Sequence, residues 1–340
     1  MKRTYLLLLG LGLYLCLQAG GIAWSQVTER VSVDTTGSDA DSGSSNPSTS
    51  SNGSYVAFQS DATDLVAGGS NGSLHIFVRD RQTGTTTQVS VDSAGNETLN
   101  PSRVPSISGD GMQVAFESDA NLDLVAGDTN PFSDIFVRDL LADNTILVSV
   151  DSNGFQDIGF SVSPSVSSNG RYVAFESIAT DLVTGGTNGK VHIFVRDLVA
   201  ETTTLVSVSS TDVQGNNDSS SASISSDGRY VAFVSAATNL VAGDGNGFTD
   251  VFVHDRDVDG NGIYDEAGWI STVRVSVGST GTEANEASSS ASISSNGRYV
   301  AFSSFATDLV ASDNNGKFDI FVHDRDDDGD GTYDEPGDIA

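Results

Sequence analysis

The chain has 340 residues, 46 of them acidic against 16 basic, for a net charge of −30, and a single cysteine. A surface this acidic repels nucleic acid and anionic lipid head groups, which excludes both as partners. Cys16 lies within the first 25 residues, so the remainder has neither disulfide nor thiol chemistry and depends on packing and on any metal it binds.

Residues 1–25 read as a signal peptide. Lys2 and Arg3 precede an apolar stretch from Leu6 to Leu17, and Ala23-Trp24-Ser25 forms a small-x-small cleavage site. The apolar stretch is shorter than the roughly 20 residues of a spanning helix, which favours a cleaved leader over an N-terminal anchor. Cleavage removes Lys2 and Arg3 and takes the net charge from −30 to −32. Residues 26–340 are then expected as one secreted domain, extracellular or periplasmic and monomeric, with no membrane insertion.

One phrase recurs down that domain: Tyr55-Val56-Ala57-Phe58, Gln113-Val114-Ala115-Phe116, Tyr172-Val173-Ala174-Phe175, Tyr230-Val231-Ala232-Phe233 and Tyr299-Val300-Ala301-Phe302. The starts lie 58, 59, 58 and 69 residues apart. Before each stands Asn-Gly or Asp-Gly, from Asn52-Gly53 to Asn296-Gly297, which suits a tight hairpin turn. Upstream of the turn is a strand of small residues such as Pro164-Ser165-Val166-Ser167. Downstream come an Ile-Phe-Val strand, as at 76–78, and a Val-Ser-Val strand at 31–33, 89–91, 148–150, 206–208 and 275–277.

Four strands and no helical pattern per repeat predict an all-β fold, a five-bladed β-propeller of four-stranded antiparallel blades. The apolar strands alternate little, as expected where neighbouring blades cover both faces. The Ser/Ala-rich strand suits the narrow inner position. An elongated stack of the same repeats is the competing arrangement. Because the domain opens on a Val-Ser-Val strand and the fifth repeat stops short of one, the N-terminal strand is expected to close the last blade. Residues 30–33 would then pair with 320–322.

These residues resemble the TolB-type, WD-repeat-like β-propeller family, whose unit reads Pro-Ser-x-Ser-x-Asp-Gly, a Tyr-x-Ala-Phe strand and an Ile-Phe-Val-x-Asp strand. Pro105-Ser106-Ile107-Ser108-Gly109-Asp110-Gly111 and Asp134-Ile135-Phe136-Val137-Arg138-Asp139 carry the likeness. It implies a fold and not an activity, since similar repeats serve as scaffolds, binding modules and enzyme lids. TolB's separate N-terminal α/β domain has no counterpart here, so its role in the Tol–Pal envelope system is not carried over.

The longer fourth spacing holds Asp257-Val258-Asp259-Gly260-Asn261-Gly262-Ile263-Tyr264-Asp265-Glu266, matched in the fifth repeat by Asp326-Asp327-Asp328-Gly329-Asp330-Gly331-Thr332-Tyr333-Asp334-Glu335. Oxygen donors at positions 1, 3, 5 and 9, with a glycine at 6, suit Ca²⁺, a hard ion that takes six to eight oxygens near 2.4 Å. The expected ligands are Asp257, Asp259, Asn261, the Ile263 carbonyl and Asp265, and likewise Asp326, Asp328, Asp330, the Thr332 carbonyl and Asp334. The pattern resembles the hairpin calcium loops of integrin-type propellers. An EF-hand register starting at Asp255 or Asp324 and ending at Glu266 or Glu335 competes with it. The first register is preferred, because Asp255 and Asp324 align with Asp80, Asp139 and Asp197 in repeats that lack the insertion. A merely acidic turn is the plainer reading.

Asp244-x-Asn246 with Asp250, and Asp313-x-Asn315 with Asp319, offer weaker metal candidates that ordinary turn chemistry explains better. None of the four histidines is unique to one repeat. His75 and His192 replace Asp134, Asp250 and Asp319, while His254 and His323 replace arginine, which argues against a lone catalytic base. The inner strands carry no carboxylate pair of the glycosidase type. The expectation is a calcium-binding, non-catalytic binding or structural module with a protein or glycan partner. A hydrolase or lyase acting on carbohydrate in the central channel is the alternative.

Overall fold

The Tyr-Val-Ala-Phe phrase forms the second strand of each sheet and the Ile-Phe-Val phrase the third, as suits β-branched and aromatic residues covered on both faces. The structure, a computed structural model, describes residues 28–119 and 123–334, so the expected signal peptide lies outside the described residues. The first sheet contains β1 (Ser44–Thr49), β2 (Tyr55–Ser60), β3 (His75–Asp80) and β4 (Thr85–Gln88). The second contains β5 (Ser102–Ile107), β6 (Gln113–Ser118), β7 (Asp134–Asp139) and β8 (Asn144–Leu147). β9 (Ser161–Val166), β10 (Tyr172–Ser177), β11 (His192–Asp197) and β12 (Thr202–Leu205) make the third. β13 (Ser219–Ile224), β14 (Tyr230–Ser235), β15 (Asp250–Asp255) and β16 (Ser271–Arg274) make the fourth. The fifth has three strands, β17 (Ser288–Ile293), β18 (Tyr299–Ser304) and β19 (Asp319–Asp324). All are antiparallel meanders, and no helix occurs among the described residues.

Five such sheets fit a five-bladed propeller. The tips of all five first strands line one cavity of about 170 Å³, with Ser51, Gly109, Ser168, Ser226 and Ser295 on its wall. Backbone bonds link these tips in turn: the Ser51 amide donates to Gly109, Gly109 to Ser168, and Ser226 to Ser295, each at 2.9 Å. Every first strand also carries a β-bulge whose extra residue is left-handed, at Asn46, Val104, Ser163, Ser221 and Ser290. A side chain of the preceding sheet satisfies the bulge in three cases. Gln59 accepts from Val104 at 2.9 Å, Glu117 from Ser163 at 3.0 Å and Glu176 from Ser221 at 2.9 Å.

Between sheets the packing is a repeated fit of aromatic into glycine. A Cβ on Gly111 would lie 2.3 Å from Tyr55, and on Gly228 or Gly297 only 2.1 Å from Tyr172 or Tyr230. Only glycine leaves room for the ring of the sheet before it. Deeper in, each Phe of a second strand stacks on the Phe of the third, with centroids 5.8–5.9 Å apart. Phe58, Phe116, Phe175, Phe233 and Phe302 are all buried.

Two expectations need amendment. The Val-Ser-Val phrase is not the body of the fourth strand, which is the tetrapeptide before it. The Val89 amide still donates to Ile76, but the Ile76 amide finds the Ser90 hydroxyl at 3.0 Å instead of a backbone carbonyl. The ladder therefore ends in a side chain, and the same exchange recurs at Ser149, Ser207 and Ser276. Closure by residues 30–33 is not seen either. Val33 lies against the first sheet, where its carbonyl accepts from Thr86 at 2.6 Å, as Val91 does from Thr145 in the second. Ile320 and Val322 remain 76% and 65% exposed, whereas Ile76 and Val78 are buried.

Candidate functional site

The insertion loop after β15 is anchored before it can bind anything. Arg256 is buried, stacks over Tyr172 and Tyr264, and holds Asp265 by a bidentate pair from Nε and Nη2 at 2.9 and 2.5 Å. Asp257 accepts the amides of Asn261 and Gly262, each at 3.0 Å, and Asp259 accepts from the Asn261 side chain at 3.0 Å. Positive φ at Gly260 and Gly262 lets the turn fold that tightly. Asp257, Asp259 and Asn261 are thus brought together, while Asp265 is committed to Arg256. Glu266 takes a bond from Asn261 at 2.7 Å instead.

The loop after β19 repeats the design. Oxygens of Asp326, Asp328 and Asp330 all lie within 4.8 Å of one another. Asp334 pairs with the buried Arg325, which stacks over Tyr230 and Tyr333. The first positions of the competing register are already paired: Arg229 holds Asp255 at 2.7 and 2.8 Å, and Arg298 holds Asp324 through Nε and Nη2, each at 2.7 Å.

A second family of acidic positions lies at the start of the third strands. In the second sheet Asp128 and Asp134 are fully buried and Asp157 is 3% exposed. Gln156 Nε2 donates to Asp128 at 2.7 Å and to Asp134 at 3.0 Å, and Ser149 and Ser161 donate to Asp134 and Asp157 at 2.6 Å each. Burial pushes the Asp128 carboxyl up to about 6. Burial and then the Asp134 charge push Asp157 up to about 9. In the fourth sheet Asp244, Asp250 and Glu283 meet in the same way, with Arg274 among them. Turn chemistry accounts for the asparagines of these loops, since Asn130 and Asn246 accept the amides of Phe132 and Phe248 at 2.7 Å. It does not account for Asp128, which the sequence reading passed over.

Three of the histidines sit in buried hydrogen-bond networks. His75 bridges Ser90 at 3.1 Å and Asn71 at 3.0 Å, and His192 bridges Ser207 at 2.9 Å and Asn188 at 3.0 Å. His254 bonds Thr272 at 2.9 Å. Burial holds His192 and His254 down at about 4.

No family model and no curated protein matches this chain. Among solved structures it is similar to TolB from Acinetobacter baumannii, at 17% identity and a TM-score of 0.43 over 79% of this chain and 53% of that one. It thus spans about half the length of that protein. An oligogalacturonate lyase in complex with manganese shows 14% identity and a TM-score of 0.47 over 83% and 62%. The β-propeller domain of the Trilobed protease from Pyrococcus furiosus shows 12% and 0.46 over 83% and 69%. Identity this low carries no activity or ligand across from any of them.

The structure adds two carboxylates that the inner strands do not carry, because they come from the second strands. Glu117 and Glu176 cap the bulges at Ser163 and Ser221. Burial raises the Glu176 carboxyl, with the Glu117 charge adding to it. The signal was the shared place of Gln59, Glu117 and Glu176 one residue after the phenylalanine.

Proposed function

We propose that this chain is a secreted, calcium-binding β-propeller that acts as a non-catalytic binding or structural module. The observation that carries the reading is the gathering of Asp326, Asp328 and Asp330 in a turn whose donors are all oxygen. Asp257, Asp259 and Asn261 form its counterpart one repeat earlier. An oxygen-only set in a glycine turn fits a hard divalent ion. Asp326, Asp328, Asp330 and the Thr332 carbonyl would hold one ion, and Asp257, Asp259, Asn261 and the Ile263 carbonyl the other. Asp265 and Asp334 then fasten each loop to its arginine instead of completing the sphere. Bound Ca²⁺ would cancel the repulsion among these carboxylates and stiffen both loops, which pack on the tyrosines of the preceding sheets.

Calorimetric titration of the intact protein with Ca²⁺ tests this. Two sites at roughly 10⁻⁴–10⁻³ M are expected, together with a higher melting temperature. Asp259→Ala and Asp328→Ala should each remove one site. No heat at millimolar Ca²⁺ would sink the calcium reading. The buried histidines support a non-catalytic role. A channel hydrolase or lyase draws support from Glu117 and Glu176 alone, and turnover on a glycan panel that is lost in Glu176→Gln would favour it.

A further inference from the structure

The four joints between successive sheets are made from the same two faces. The earlier sheet supplies the face bearing the alanine of its second strand and the first and third residues of its Ile-Phe-Val phrase. The later sheet supplies the face bearing its phenylalanines and the last residue of its first strand. Ala57, Ile76 and Val78 thus share one apolar cluster with Ile107, Phe116 and Phe136, and the pattern repeats down to Val251 and Val253 with Phe302. A serine hydroxyl of the earlier first strand ties each joint by accepting an amide of the later one. Ser48 accepts from Ile107 at 3.1 Å, Ser106 from Val166 at 3.0 Å, Ser165 from Ile224 at 3.4 Å and Ser223 from Ile293 at 3.1 Å.

Five sheets in four joints leave one face of each kind uncovered. On the fifth sheet Tyr299 is 41% exposed, where Tyr172 and Tyr230 are 6% and 7%, and Ile320 and Val322 stand exposed with it. A groove of about 770 Å³ runs there between β19 and the loop at 310–315. In the other four sheets a Val-Ser-Val phrase lies along the third strand, its serine accepting an amide of that strand. The fifth sheet has no such phrase among the described residues.

On the first sheet Thr49 is exposed at the place of Ile107, and Phe58, Leu65 and Phe77 form a cluster that no residue of the fifth sheet joins. No ring covers Gly53, whose nearest neighbour is the end of Arg81. The edge of this face is already dressed for a preceding sheet. Val33 and Asp34 accept from Thr86 at 2.6 Å and Arg79 at 3.0 Å, as Val91 and Asp92 do from Thr145 and Arg138 one sheet later. Ser32 alone among the five Val-Ser-Val serines accepts no third-strand amide among the described residues.

We infer that the exposed face of the fifth sheet docks on the first sheet of a second copy of this chain, with the contacts of the four internal joints. Tyr299 seats at Gly53, the Thr49 amide donates to the Ser292 hydroxyl, and Val31-Ser32-Val33 fills the groove along β19 with Ser32 accepting the Ile320 amide. Backbone bonds of 2.9–3.1 Å at the sheet tips hold the internal joints, and with those joints in place the two end faces of one chain stay uncovered. Bringing a chain's own ends together would strain every joint, whereas a second copy requires none to move. Because the two faces differ, the contact is head-to-tail. It involves no residue of the two acidic loops and does not rest on the calcium reading.

Sedimentation equilibrium of the intact protein reads the association, at concentrations up to millimolar and in about 0.15 M salt to screen the like charge of the copies. The wild-type mass should rise with concentration. Ile320→Arg blocks the face of the fifth sheet and Thr49→Arg that of the first. Both positions are exposed in the single chain, so the fold should survive each change, which circular dichroism checks. Each variant alone should remain a monomer. An equimolar mixture should form a dimer and stop there, since each partner supplies the face that the other has lost. A wild type that is monomeric at every concentration overturns the inference, including the case in which its own ends meet. So does a mixture that stays monomeric, or an association that survives both substitutions, which would place the contact elsewhere.

Discussion

Gly228→Ala isolates the fit between sheets. Gly228 has φ +86°, a left-handed conformation that costs an L-residue about 1–2 kcal/mol. Its new Cβ would also lie 2.1 Å from Tyr172 Cδ2. That ring cannot retreat easily, with the guanidiniums of Arg171 and Arg256 at 4.9 and 5.0 Å and the Tyr264 ring at 5.3 Å. Overpacking of this kind costs about 1–3 kcal/mol, for a total of about 2–5 kcal/mol. Gly53→Ala is the matched control. Its φ of +69° brings the same strain, but the nearest atom is Arg81 Nη1 at 3.5 Å, so about 1–2 kcal/mol is expected. Urea unfolding followed by Trp269 fluorescence and by far-ultraviolet circular dichroism measures both. Pairing Gly228→Ala with Tyr172→Leu should recover part of the loss. Equal losses in the two alanine variants would refute the interlock.

Phe175→Ala should cost about 3–5 kcal/mol in the same assay, because the ring is fully buried against Phe194 and leaves a cavity. For His192 the folded value of about 4 lies below the ordinary 6.5, so protonation favours the unfolded chain. Its contribution is present in full above pH 6.5 and is lost as the pH falls toward 4, on the order of 3 kcal/mol in all. Wild type should therefore lose ground to His192→Asn between pH 7.5 and 4.5, and parallel stability curves would contradict this.

The strands and their turns were legible because each depends on residues adjacent in the chain. Tyr-Val-Ala-Phe, Ile-Phe-Val and the preceding Asn-Gly or Asp-Gly specify a hairpin locally, and the buried phenylalanines follow from the pattern. Asp255, which the repeat places in line with Asp80, Asp139 and Asp197, is held by Arg229. What the sequence did not signal is the arginine nine positions before Asp265, buried and bonded to its carboxylate. Asp157 could not be seen as part of a cluster, since only the fold carries it to Asp134. The departure of Val-Ser-Val from the ladder depends on a serine hydroxyl standing in for a carbonyl, which strand propensity does not describe.

The seating of Tyr172 on Gly228 and of Tyr230 on Gly297 has a direction, since the ring always belongs to the earlier sheet and the hollow to the later one. A joint with distinct male and female halves can be extended without inventing a new surface. Duplicating one unit of about this period would supply a sheet that receives its predecessor's ring and offers its own. The alanine variants at these glycines therefore test the joint itself, whichever pair of sheets carries it.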